Sequence, residues 1–567
     1  MATASAEARR ARRKEMPAVA WLKGPQRIRG LDPLGVRAPC ESLYTKLLPG
    51  INNVTDRARY FSFYPWLIWA TERHTGALKE LPLYHTLRRA DCLFALIGLR
   101  HQTTSGPSKL HGGLIGAITL SRALNQFGEG EALRLSEFAT TDATPQRYFM
   151  NKHGGLGQYY LGTLQQAGLL LGDTRSGIRY TEERGGPLAR AFDAGVDREA
   201  FFAALEADEV TTDTLDELSA FCACAVGENS AEHSALTDYF FNREGIFHQQ
   251  EGHPRRLTLA LLLDLCERLR GSDTPITVDG GGSDVFRACA YAGALPGGAA
   301  WEPGNPALDA LRAGWGLYHR HELFSVALQC LFWAGLDALQ EGGPALDDSR
   351  AYGEWFAQEF ETALDNGVDE TFSDAIGRTD GTLPHLELWH DPDHEVQLGW
   401  EAHDLTREAD ARLRREDVVR DSVRVLLALA ARRLGAAAGE SAFGLSQHHL
   451  RQYPVNLHEF ERLAGGEWAG LRMRDLLTRL GARWGVDAHL RVALRKLRGS
   501  AHDTFKVVPG ERGLTVTESP LPGFTGPRVR QALQVLYDLR ALDFDPASGG
   551  MRPTDFGLEL LEECRAD

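Results

Sequence analysis

Asn52-Asn53-Val54-Thr55-Asp56-Arg57-Ala58-Arg59-Tyr60-Phe61-Ser62-Phe63-Tyr64-Pro65-Trp66-Leu67-Ile68-Trp69 sets six aromatic rings within its last ten residues, directly after a polar lead carrying two arginines. Rings at that density predict a helix buried within a helical layer. Thr55 or Asn53 is placed to cap it, with Arg57 and Arg59 projecting from its first turns. Those arginines either bind phosphate or pair with carboxylates from elsewhere in the chain. Around this stretch, residues 30–125 alternate helical periodicity with short turns.

Two distant segments repeat one pattern. The first runs from Leu164 to Leu171, through Gly172-Asp-Thr-Arg-Ser-Gly177, to Ile178-Arg179-Tyr180-Thr181 and Pro187-Leu188-Ala189. The second runs from Leu536 to Leu542, through Asp545-Pro-Ala-Ser-Gly-Gly550, to Met551-Arg552-Pro553-Thr554 and Gly557-Leu558. Each reads as a helix, a Gly-rich hairpin and a Thr able to cap a following helix. At this level each resembles the last part of a winged helix, over roughly residues 140–195 and 470–565. The resemblance implies either DNA binding, with the pre-wing helix in the major groove and the wing along the backbone, or protein docking.

Charge favours the second copy for DNA. The chain of 567 residues carries a net −15, so nucleic acid or an anionic membrane meets overall repulsion and any contact must be local. Between Glu467 and Arg530, however, twelve Lys and Arg face six Asp and Glu. Arg491, Arg495, Lys496 and Arg498 fall within about two helical turns, while Arg528 and Arg530 open the pre-wing helix, where the dipole also favours phosphate. With Arg552 on the wing, these seven are the expected DNA-backbone contacts. Residues 341–420 are the reverse, with 21 acidic against seven basic side chains, and read as a surface that repels nucleic acid or docks a basic partner.

Catalytic signatures are absent: there is no GxxxxGK[ST], HExxH, GxSxG or E-x-K. Asp279 to Asp284 is glycine-rich without the order of a nucleotide site and reads as a loop or tight turn. Eight cysteines are scattered in apolar contexts, and Cys222-x-Cys224 has no second cysteine pair, so no zinc site and no cofactor is expected. The weaker alternative is a metal-dependent hydrolase acting on nucleic acid or nucleotides, with His390, Asp391, Asp393 and His394 as ligands. Tyr318 to Phe324 places His319, Arg320 and Glu322 at the mouth of an apolar helix, read as internally paired groups with a catalytic role as the alternative.

The expected architecture is mainly α: a multi-domain helical protein with two winged-helix-like units bearing small β-wings. Its parts are a basic N-terminal arm at 1–30 (or a leader ahead of a start at Met16), a helical domain at 31–135, a winged-helix-like unit at 136–195, a central helical domain at 196–440 and a basic winged-helix-like domain at 441–567. No run of 18 apolar residues suggests a membrane span, and the dispersed cysteines suit a reducing cytoplasm. The alphabet of Ala, Arg, Gly and Leu resembles that of bacterial proteins encoded with antiviral defence genes. That resemblance implies a non-enzymatic DNA-binding or adaptor subunit, with DNA and other protein subunits as partners; a pure protein-interaction scaffold is the further alternative.

Overall fold

The aromatic run folds as the helix Tyr60–Arg73, and every residue from Tyr60 to Ala70 is buried. Tyr60 packs against Tyr64, Phe94 and Tyr160, and Trp66 against Phe192. The cap differs from expectation: Arg59 is the N-cap residue, while Thr55 turns its hydroxyl back onto the Asn52 carbonyl. Arg57 and Arg59 are fully buried and take carboxylate partners. Arg57 donates twice to Asp538, at 3.0 and 2.8 Å, and Arg59 twice to Glu232, at 3.2 and 2.9 Å. An ion held out of water needs such a partner, and neither arginine is open to an external phosphate.

The computed structural model describes residues 26–27, 30, 32–105, 111–126, 131–173, 177–278, 280–364, 367–432, 445–500, 502–511, 513–545 and 548–566. Most of the expected basic arm and part of each hairpin tip lie outside them. The fold is mainly helical, with five two-stranded pairings among the described residues. Its axis is the 35-residue helix Pro306–Gln340, about 50 Å long at 1.5 Å per residue. Asn305 caps it by accepting the Leu308 N–H at 2.8 Å, and Pro306 supplies a preset φ at its first position. This helix is long and apolar enough to cross a membrane by composition, but 94% of its apolar window is buried inside the protein. Helices Arg37–Leu47, His253–Arg268, Gly280–Ala292, Glu395–Leu405 and Arg415–Arg432 pack around it. One apolar cluster extends through all of these elements, from Leu34 to Cys564.

Two expected elements change. The glycine run is not a loop: from Gly280 onward it opens the helix Gly280–Ala292. Glycine is needed there for close approach, since a Cβ on Gly282 would lie 2.0 Å from the Thr277 carbonyl oxygen. Of the single long helix expected at 406–438, residues 433–438 lie outside the described residues, and the rest holds a 3-10 turn at Ala411–Arg414 followed by the helix Arg415–Arg432. Much of the acidic stretch is neutralised within the chain, with Glu341 on Arg412 and Arg415, Asp417 on Arg414 and Arg420, and Glu395 on Arg432. The segment Tyr318–Phe324 lies inside the apolar helix and not at its mouth, and its pairing is partial: Arg320 meets Glu461 and Glu322 meets Arg287, while neither ring nitrogen of the buried His319 has a hydrogen-bond partner among the described residues.

The repeated pattern is a repeated structure. Helix Leu161–Gln166 leads into the pair Leu170–Leu171 with Arg179–Tyr180 and on to helix Gly185–Asp193. Helix Val529–Asp538 leads likewise into Leu542–Phe544 with Met551–Pro553 and on to Asp555–Ala566. The capping bonds correspond one by one. Each first helix ends at a residue of positive φ, Gly168 or Arg540, after which Leu169 N–H donates to Leu164 O and Ala541 N–H to Leu536 O, both at 2.9 Å. Thr181 then donates to Gly168 O and accepts from Gly185 N–H, just as Thr554 donates to Arg540 O and accepts from Gly557 N–H. Helix Val529–Asp538 is almost wholly buried, from Val529 to Asp538 with Arg530 alone exposed, so it sits inside the core and offers no face to a DNA groove.

Candidate functional site

Helix Asp487–Ser500 continues a π-helical turn, Leu480–Val486, and packs Ala488, Val492 and Ala493 inward. The helical period then throws Arg491, Arg495 and Arg498 out on one face, at i, i+4 and i+7, and all three are exposed. Arg451, on helix Gln447–Gln452, and Arg483, on the π turn, bring two more exposed guanidinium groups to the same region. Two contiguous surface grooves of about 260 and 460 Å³ share Arg451, Pro454, Val455 and Arg491; the first adds Arg495 and the second Arg483. Arg495 lies 4.8 Å over the Tyr453 ring and donates to Gln452 O at 3.0 Å, while Arg491 donates to the carbonyls of Asp487 and Arg483. These bonds orient the side chains without neutralising them. Among the described residues no carboxylate pairs with Arg451, Arg483, Arg491, Arg495 or Arg498, whereas Arg462, on the groove wall, is held by Glu459.

The remaining expected contacts lie elsewhere. Lys496 turns inward and donates to Asp32 O at 2.9 Å, and its burial lowers its pKa. Arg528 lies 4.7 Å over the Tyr44 ring and donates to Ile51 O at 2.7 Å. Arg530 is paired with Asp56 at 2.6 Å and Arg552 with Asp543 across its hairpin at 2.8 Å. The six arginines and one lysine read from sequence therefore divide: Arg491, Arg495 and Arg498 share an open face, and the other four are engaged within the chain. Arg451 and Arg483 were missed because the sequence does not reveal that helix Gln447–Gln452 lies beside the π turn.

The alternative metal ligands do not converge. Asp393 is paired with Arg424, Asp391 accepts the Asp393 N–H, His394 accepts the Val396 N–H through Nδ1, and His390 is exposed. Metal-type donors do gather at a place the sequence reading had set aside. His101 and His111 meet Cys222 and Cys224, with one donor atom from each within 4.8 Å of all the others. The argument from a missing second cysteine pair fails because two histidines, more than a hundred residues upstream, make the second pair. A pairwise His and Cys search at long range was the one signal open to sequence. In this cluster the Cys224 thiol is held low by its hydrogen bond with Cys222 and by both histidines, against the effect of burial. The same hydrogen bond and burial push Cys222 up.

Comparisons with protein-family models, curated proteins and solved structures give no match.

Proposed function

We propose that the protein is a non-enzymatic binding subunit that takes the phosphate backbone of DNA along the groove lined by Arg451, Arg483, Arg491 and Arg495, with Arg498 beyond it. One observation carries this reading: five exposed arginines without carboxylate partners among the described residues are grouped on a chain whose net charge is −15. A grouped excess of unpaired guanidinium groups creates a local positive potential and supplies phosphate-matched donors. The two helix–hairpin–helix units are read as winged-helix-like, but in a docking role. The buried pre-wing helix Val529–Asp538 favours that role over groove insertion. Contact through backbone charge implies little sequence preference, which suits an adaptor whose catalytic partner is another chain.

Fluorescence anisotropy of the full chain on a short labelled duplex, across a salt series, tests the reading. Four to five phosphate contacts imply a log-log salt slope of about −4. Arg491→Ala/Arg495→Ala should lower that slope by about two, at about one per contact. Arg530→Ala/Arg552→Ala should leave it unchanged, because both side chains are already paired. Absence of binding at about 50 mM salt, where such contacts are strongest, rejects the proposal and leaves the protein-interaction scaffold.

A further inference from the structure

The His and Cys cluster has the dimensions of a metal site. Cys222 Sγ lies 3.4 Å from Cys224 Sγ, Cys224 Sγ lies 3.2 Å from His101 Nδ1, and His101 Nδ1 lies 3.4 Å from His111 Nε2. A tetrahedral zinc with Zn–S of about 2.3 Å and Zn–N of about 2.0 Å needs donor–donor edges of roughly 3.8, 3.5 and 3.3 Å. The three measured edges fall within a few tenths of an ångström of those values. The two rings stand nearly perpendicular, at 82°, and the contacts place His101 Nδ1 and His111 Nε2 toward each other. His111, Cys222 and Cys224 are buried, and His101 is partly so.

The backbone beside the donors is held by two buried arginines. Arg59 Nη1 donates to both Ala220 O and Cys222 O at 2.6 Å, fixing the turn that carries the cysteines. Arg57 Nη1 donates to Gly112 O at 3.1 Å, fixing the residue after His111. Each arginine is itself locked by a buried carboxylate. Outer contacts that orient ligands in this way are typical of metal sites.

We propose that His101 Nδ1, His111 Nε2, Cys222 Sγ and Cys224 Sγ bind one structural zinc ion. Zinc displaces the two thiol protons to solvent, and the two thiolates balance its charge. Four protein donors fill the tetrahedron, leaving no position for water or substrate, which makes the site a clamp and not a catalyst. The mixed sulfur and imidazole set selects zinc over magnesium or calcium, which take oxygen donors. The clamp ties the end of helix Leu83–Thr104 and the segment around His111 to the turn at 222–224.

Metal analysis of the full chain, purified in reducing buffer without chelator, should give about one zinc per chain. Apoprotein prepared by chelation should take up one equivalent of cobalt(II), with a thiolate-to-cobalt charge-transfer band and tetrahedral visible bands. Cys222→Ser and His111→Asn should lose the stoichiometric metal, and Cys289→Ser, at a buried thiol elsewhere, should keep it. If the ligand variants do not fold, the cobalt spectrum of the wild-type chain still decides. Zinc well below one equivalent together with no cobalt charge-transfer band overturns the proposal, as does a Cys222–Cys224 disulfide in the reduced preparation. These readouts involve no DNA, so they stand or fall apart from the binding proposal.

Discussion

Asp538→Ala isolates a carboxylate buried in the core. The carboxylate accepts two bonds from Arg57, one from the Ala58 N–H at 2.9 Å and one from Gln534 at 3.1 Å, and neither charged side chain is exposed. Removing it takes the carboxylate counterion from a fully buried guanidinium, which keeps Gly112 O among its acceptors. Breaking a buried pair from one side costs about 3–5 kcal/mol, a large share of a typical stability of about 5–15 kcal/mol. Replacing both partners, in Arg57→Met/Asp538→Leu, removes the stranded charge but leaves Ala58 N–H and Gly112 O without partners, at about 1–3 kcal/mol each. The double variant should therefore cost less than the sum of the single ones, with a coupling of about 2 kcal/mol or more. Urea unfolding followed by circular dichroism and by tryptophan fluorescence measures all three. A single variant within about 0.5 kcal/mol of wild type, or a coupling near zero, refutes the reasoning.

Acid should weaken the protein through His489. Burial pulls this imidazole down to about 4, with Lys506 and Lys496 adding to the effect, while Nδ1 donates to Pro33 O and Nε2 accepts from Lys506 N–H, which requires the neutral ring. The unfolded histidine binds a proton near pH 6.5 and the folded one near pH 4, so stability falls as pH drops through that window, by at most about 3 kcal/mol. Melting temperatures between pH 7 and pH 4 should show a shallower decline in His489→Gln, and an unchanged decline would reject the assignment. The two repeated units should respond alike to alanine at their shared glycine. A Cβ on Gly185 would lie 2.3 Å from Leu169 O and one on Gly557 2.0 Å from Ala541 O, so each substitution should cost about 1–3 kcal/mol by thermal unfolding. A neutral result at either site would show that the two caps are not equivalent.

Elements with a strong local signal were legible. The rings of Tyr60 to Trp69 announce a buried helix because no solvated element tolerates them. The repeat was legible through its turn chemistry, since Thr181 and Thr554 close the same bonds over hairpins of different length. Charge density located the helix carrying Arg491, Arg495 and Arg498 but could not show which charges are open. Arg530 and Lys496 look the same in the chain, yet one meets Asp56 from 474 residues away and the other turns toward Asp32. The metal-type cluster was hidden for a related reason. Its donors come from three segments, and only the packing of helix Leu83–Thr104 against the turn at 219–228 unites them. Gly282 was misread because a glycine needed for close approach looks, in sequence, like one needed for a turn.

The pairing of Arg57 with Asp538 also constrains synthesis on the ribosome. The two residues are 481 positions apart, and at about 5–20 residues per second the carboxylate follows the guanidinium by roughly 25 to 100 s. Throughout that interval the guanidinium of Arg57, at the entry to the aromatic helix, lacks the carboxylate that lets it be buried. The rings themselves find their partners Phe94, Tyr160, Phe192 and Phe240 in the first half of the chain, so a chain that stalls before residue 538 presents a packed aromatic layer with one uncompensated guanidinium at its edge.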